Sequence, residues 1–190
     1  MSEPGEVQTL LTTVHEALVV GQVDTQVTWL LDSGFDDVAV WRTIWEQREH
    51  VVCRVCQRTR LVEWQTESGA WTRGPLEEAA KRLKKLAMGR TKMEVPLGKQ
   101  EHPKQQEADV EISACSFRLT YHSAVRRSSQ EPDQILHKDL WLVQVRVLNC
   151  WWEPWWLMTD WPVETEAEAM RLFSMYRQRW GVEESFKFTR

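Results

Sequence analysis

Apolar positions recur at helical spacing near both ends of the chain and at strand spacing between them. Val7, Leu10, Leu11, Val14, Ala17 and Leu18 return every three or four residues, which predicts an amphipathic helix over 6–20. Gly21 follows, the residue type that most readily ends a helix. Residues 27–31 form a short apolar run, predicted as a buried strand. It stops at Asp32-Ser33-Gly34, a turn sequence. Asp36 stands as the N-cap of the next helix, with Phe35 and Val40 placed for a hydrophobic staple. Val38, Trp41, Trp45 and Arg48 carry that helix, and residues 50–55 predict a second strand. Strand, helix and strand in this order imply an α/β core with parallel strands.

The pattern changes from about residue 59. Residues 60–64 predict a strand, and 75–88 a basic helix opening with Pro75. The polar stretch 98–108 predicts a loop. Strand-like runs follow near 110–121, 139–148 and 154–159, with S-S-Q-E-P-D-Q as a loop between the first two. These features give a β-rich insertion over 59–162, interrupting a core that occupies 1–58 and resumes at 163–190. The last helix opens on Thr165-Glu166-Ala167-Glu168, a capping box with Thr165 as N-cap and Glu168 at N3. It runs to Arg190 without a terminating Gly or Pro, the pattern of a chain cut within a helix.

Composition narrows the class. No run of eighteen apolar residues predicts a membrane span. The opening M-S-E-P-G-E has neither the basic nor the apolar region of a secretory leader, so a cytoplasmic protein with four reduced cysteines is expected. Cys53-x-x-Cys56 has metal-like spacing, with His50 nearby. Cys115 and Cys150 form no second pair, however, and a structural zinc site needs four ligands. Buried strand thiols are the favoured alternative.

The net charge is −4, distributed as −7 over residues 1–50, +6 over 54–104 and −3 over 105–190. The basic block fits either a phosphate-tracking surface or a solvated helix face. Of the twelve tryptophans, Trp29, Trp41 and Trp45 are expected in the core.

The sharpest chemical signal lies at the carboxyl end, Y-R-Q-R-W-G-V-E-E-S-F-K-F-T-R. At about 100° per residue, Tyr176, Arg179, Glu183 and Arg190 share one stripe, which Ala169, Leu172 and Phe173 extend with apolar residues. An acid and two arginines therefore sit on the face that should be buried. A buried carboxylate is costly unless paired or bound to metal. The alternative is a surface helix with an i, i+4 salt bridge from Arg179 to Glu183. Asp32, at the carboxyl end of a buried strand, occupies a favoured ligand position in α/β sheets. Two such acids can converge on divalent cations for in-line phosphoryl transfer. An ordinary turn aspartate is the competing interpretation.

The order Tyr176, Arg179, Glu183 and a basic residue seven further on resembles the signature helix of DDE transposases of bacterial insertion sequences. Arg190 stands where that family usually has Lys. The resemblance extends to L-L-D-S-G-F-D-D, with Asp32 at the second catalytic acid and Asp36 trailing. It also covers W-W-L-M-T-D-W-P-V-E, with Trp155 at the position that stacks on a flipped base in hairpin-forming relatives; a core tryptophan is the alternative there.

The resemblance spans about 27–190. It implies a ribonuclease-H-like core with a β-rich insert, present here in part. Asp32 and Glu183 would be the catalytic and metal-binding acids for Mg2+ or Mn2+. Tyr176, Arg179, Arg190 and Trp155 would be the DNA-binding residues. DNA (element ends and target) would be the partner in a bacterial, nucleoid-associated setting. The family's first catalytic Asp has no counterpart in this sequence, so little strand transfer is expected from this polypeptide alone. The competing expectation is a non-enzymatic remnant that binds DNA, or forms a homodimer or a dimer with full-length transposase and inhibits it.

Overall fold

The computed structural model describes residues 4–21, 26–95, 104–122 and 135–187, with the backbone alone beyond residue 179. Its frame is one eight-stranded mixed sheet between two helical layers. The first unit is β1 (Thr28–Leu31), α2 (Val38–Glu46) and β2 (His50–Arg54), preceded by α1 (Pro4–Val20). β1 and β2 run parallel, Thr28 opposite His50 through Leu31 opposite Cys53, as the strand–helix–strand pattern predicts. β3 (Leu61–Gln65) and β4 (Trp71–Pro75) form a hairpin, followed by the short α3 (Leu76–Ala79). Three long strands come next: β5 (Lys84–Val95), β6 (Lys104–His122) and β7 (Ile135–Val147). β8 (Trp155–Thr159) then returns beside β2, and α4 (Glu166–Lys187) closes the chain. The strand order is β1-β2-β8-β7-β6-β3-β4, with β5 also on β6. Strands on both sides of residue 59 therefore share one sheet.

Alternation along the strands sorts side chains between the layers. In β2, Val51 and Cys53 pack toward α1, α2 and α3, while Val52 faces α4. In β8, Trp156 and Met158 take the first side, and Trp155 and Leu157 the second. β6 exchanges its buried face halfway along. Val110, Ile112 and Ala114 lie in the α4 core, whereas Cys115, Phe117 and Leu119 lie in the opposite one. β7 makes the same exchange at Leu142 and Val143, which are paired with Cys115 and Ala114.

Several local expectations are corrected. The predicted helix over 75–88 forms only as α3 and a following 3-10 turn, Ala80–Arg82, before β5 begins at Lys84. A basic run with helical spacing is overridden by eleven cross-strand pairs to β6 and by the strand-spaced burial of Ala87, Met93 and Val95. The predicted loop at 98–108 shrinks from its far end, because β6 begins at Lys104. β4 was not anticipated. The N-cap of α2 is Asp37, whose carboxylate accepts from the Ala39 amide at 2.7 Å; Asp36 is buried elsewhere. α2 ends at Glu46, before Arg48, which adopts a left-handed φ of 61°. Trp41 is buried as expected, while Trp29 and Trp45 are only partly so. The S-S-Q-E-P-D-Q segment lies outside the described residues.

The capping box of α4 forms as the sequence implies. The Glu168 amide donates to Thr165 Oγ1 at 3.3 Å, and Glu168 Oε2 accepts from the Thr165 amide at 2.9 Å. Among the described residues no helix is long and apolar enough to cross a membrane.

Candidate functional site

Asp32 is the first residue beyond β1 and begins a 3-10 turn over Ser33–Phe35. Because Trp29 and Leu31 belong to the α1–α2 face and Leu30 to the other, alternation turns Asp32 toward α4. The same rule on β2 turns Arg54 that way, two residues after Val52. From the opposite layer, α4 brings Tyr176 and Arg179, one turn apart on its buried stripe. Arg179 Nη2 lies 3.6 Å from Asp32 Oδ2, an ion-pair separation longer than a hydrogen bond. The Arg179 guanidinium also sits 5.6 Å from the centre of the Tyr176 ring.

Tyr176 is 1% exposed. Its phenol is pushed up to about 12 by loss of solvent, against the opposing pull of Arg179, while Asp32 raises it further and Arg54 lowers it. It therefore stays protonated near neutrality and acts as a donor. Asp32 Oδ1 is closed to solvent with no hydrogen-bond partner among the described residues, and the equally enclosed Tyr176 hydroxyl is met only by the Arg179 guanidinium. Such orphaned buried groups are uncommon and cluster where a ligand is handled.

Trp155 also packs on Tyr176, 6.3 Å between ring centres, and lies 6.4 Å from Phe173. At 4% exposure it is a core tryptophan in this structure, the alternative left open by sequence. Trp152 leans over it at 6.3 Å. Glu183 is on α4, about one turn past Arg179, where the backbone alone is described; Arg190 lies outside the described residues.

As a metal ligand Asp32 offers a hard carboxylate with one unpartnered oxygen, which suits Mg2+ or Mn2+. A cation of this kind needs further oxygens. Among the described residues no group of three His, Cys, Asp or Glu is placed to hold one. Asp36, the trailing acid, is spoken for. Its carboxylate meets Arg60 Nη1 at 2.5 Å and accepts from the Cys56 and Gln57 amides at 2.7 Å. The cysteine pair offers little to a metal either. Burial pushes the Cys53 thiol far up, and Cys56 lies near the Ser33 carbonyl at 3.5 Å. His50 is engaged with Asp160 at 3.0 Å and stacked on Trp161, at the other end of β2.

Arg54 is the residue that the sequence did not single out. It lines a cleft of about 480 Å³ with Cys56, Arg58, Glu153 and Ser33, the residue that follows Asp32. Part of the basic block, in contrast, is paired with acids of the same chain. Lys85 pairs with Glu111, Arg90 with Asp109, Lys81 with Glu78 and Arg58 with Glu153. No protein-family model matches the chain, and no curated protein matches it.

Proposed function

We propose that this chain is part of a DDE-type DNA transposase, carrying two of the three acids with which the parent enzyme would act on phosphodiester bonds using Mg2+ or Mn2+, and that β1, α2, β2 and α4 form part of a ribonuclease-H-like arrangement. The observation that carries this reading is the meeting of Asp32 with Arg179 and Tyr176 on the α4 face of the sheet. The acid and the signature residues are far apart in sequence, and the resemblance alone links them. Their approach from the sheet and from α4 supports a common site.

In this reading Arg54 and Arg179 hold a phosphate beside Asp32, with Arg179 able to exchange its carboxylate partner for a phosphate oxygen. The Tyr176 hydroxyl donates a hydrogen bond to the same phosphate or to Asp32. The packed ring of Trp155 keeps water from Tyr176. Asp32 and Glu183 would hold the cation, which when bound supplies an activated water and charge stabilisation at the leaving oxygen. The second reading, a DNA-binding or dimerising remnant without catalysis, is favoured by the single described carboxylate at the site.

The test is fluorescence anisotropy on duplex DNA across a salt series, alongside Mn2+ broadening of amide resonances. Affinity should fall with salt, and Arg54→Gln or Arg179→Gln should reduce the log–log slope by about one. Mn2+ should broaden the Asp32 and Ser33 amides, and Asp32→Asn should abolish the effect. DNA binding without the Mn2+ effect favours the remnant. Loss of both overturns the proposal.

A further inference from the structure

We infer that a cleft on the half of the sheet left bare by α4 is a second binding site, for an unpaired base of a single-stranded nucleic acid. It deepens the reading of the chain as a DNA-handling protein and rests on it. The cleft has a volume of about 350 Å³, within the range of small-molecule sites. It lies near the start of α4, on the order of 20 Å along that helix from Arg179.

The exchange of buried faces in β6 creates it. Beyond Ala114 the α4 side of the strand carries Ser116 and Arg118 in place of apolar residues, and β7 adds Trp141 and Asp139 directly opposite them. The β6 edge is also open here. Pairing to β5 ends at Ala114, and pairing to β3 is at Arg118. Arg82 reaches across the gap and donates to the Ser116 carbonyl at 3.0 Å. Trp71, from β4, forms the outer wall.

Trp71 is 47% exposed. The Arg118 guanidinium is stacked on one face of it at 3.9 Å and donates to Asp139 at 2.8 Å, so the ring is backed by the cation on that side and a base would take the uncovered face. A preset aromatic platform flanked by arginine is the chemistry that receives an unstacked base. Trp141 offers a second ring on the floor. Asp139, Gln65 and Glu164 at the rim can accept from base N–H groups, and Arg82 stands where a flanking phosphate would lie. A duplex buries its base faces and has nothing to place on Trp71, so the cleft selects single strands.

The experiment compares a labelled oligothymidylate of about twelve residues, long enough for one such site, with a blunt duplex. Wild type should bind the oligothymidylate, and Trp71→Ala should weaken that binding about tenfold while leaving duplex affinity unchanged. Arg54→Gln should do the reverse. Arg82→Gln, which removes no core contact, provides a second variant and should also weaken single-strand binding. Equal single-strand affinity in wild type and Trp71→Ala overturns the inference and leaves the transposase reading standing. So does failure of the oligothymidylate to bind where the duplex does. Resonance shifts around Trp71 with a neutral oligosaccharide, absent with oligothymidylate, overturn it in favour of a sugar site.

Discussion

The chain has only two tyrosines, Tyr121 and Tyr176, which makes the site residue directly observable. Both phenols are raised by burial, Tyr176 to about 12. Absorbance titration of phenolate should show Tyr176 ionising last, near that value, and Tyr176→Phe should delete the late step. The linkage sign follows. A folded pKa above the unfolded one contributes stability that is complete below pH 10 and is lost as pH rises toward about 12. A single unshifted tyrosine step would show that the ring is not enclosed by Trp155 and Arg179. Asp36 is the other acid near this turn, and its role is structural. Asp36→Ala would remove the carboxylate partner of the partly buried Arg60 and of two backbone amides. Urea unfolding should register a loss of about 3–5 kcal/mol. A loss below about 1 kcal/mol, the scale of an exposed pair, would mean that Asp36 is not held by Arg60.

α4 is the element on which the site depends, and its start is set by the capping box. Thr165→Ala should cost about 1 kcal/mol, read as a lower urea midpoint with an unchanged slope. The Glu168 carboxyl is held below its usual 4.5 by the Glu164 amide, then by the Thr165 hydroxyl and amide. Its contribution is therefore present above pH 4.5 and lost as pH falls through the lower folded value. The midpoint difference between wild type and Glu168→Gln should vanish with it, and a difference that persists in acid would rule out the carboxylate as its source. This helix was legible in sequence because its cap and stripe are local patterns. So were β1, α2 and β2, where period and turn residues agree. β5 was not, because A-A-K-R-L-K-K-L-A favours a helix locally while Asp109 and Glu111, which pair with Arg90 and Lys85, lie some twenty residues away. At the site, Asp32, Tyr176 and Arg179 could be named from sequence. Arg54 could not, since only the register of β2 beside β1 and β8 shows that it shares their face. The burial of Trp155 likewise needed α4 in place.

At the scale of the molecule, two apolar cores lie on opposite faces of one sheet, and β2, β6, β7 and β8 each contribute to both. β6 and β7 change their buried face at Ala114–Cys115 and Leu142–Val143, so each carries part of both layers. Peeling α4 away would expose Val110, Ile112, Val143 and Val145 on the strands that also hold Phe117, Leu119 and Leu140 in register. The layers should therefore unfold as one cooperative unit despite the long apparent insertion. β8 offers the cleanest test, because its neighbours Leu157 and Met158 are both buried but face opposite cores. Leu157→Ala and Met158→Ala should each cost about 2–5 kcal/mol. Each should shift a single transition in which helical signal and tryptophan fluorescence coincide. Amide exchange should be slowest in β6, β7 and β8 and should quicken to a similar extent in α2 and α4 with either substitution. If Leu157→Ala releases α4 in a separate early step while α2 keeps its protection, the shared strands do not couple the layers. The phosphate-holding face formed by Asp32, Arg54 and Arg179 would then come and go with α4 alone.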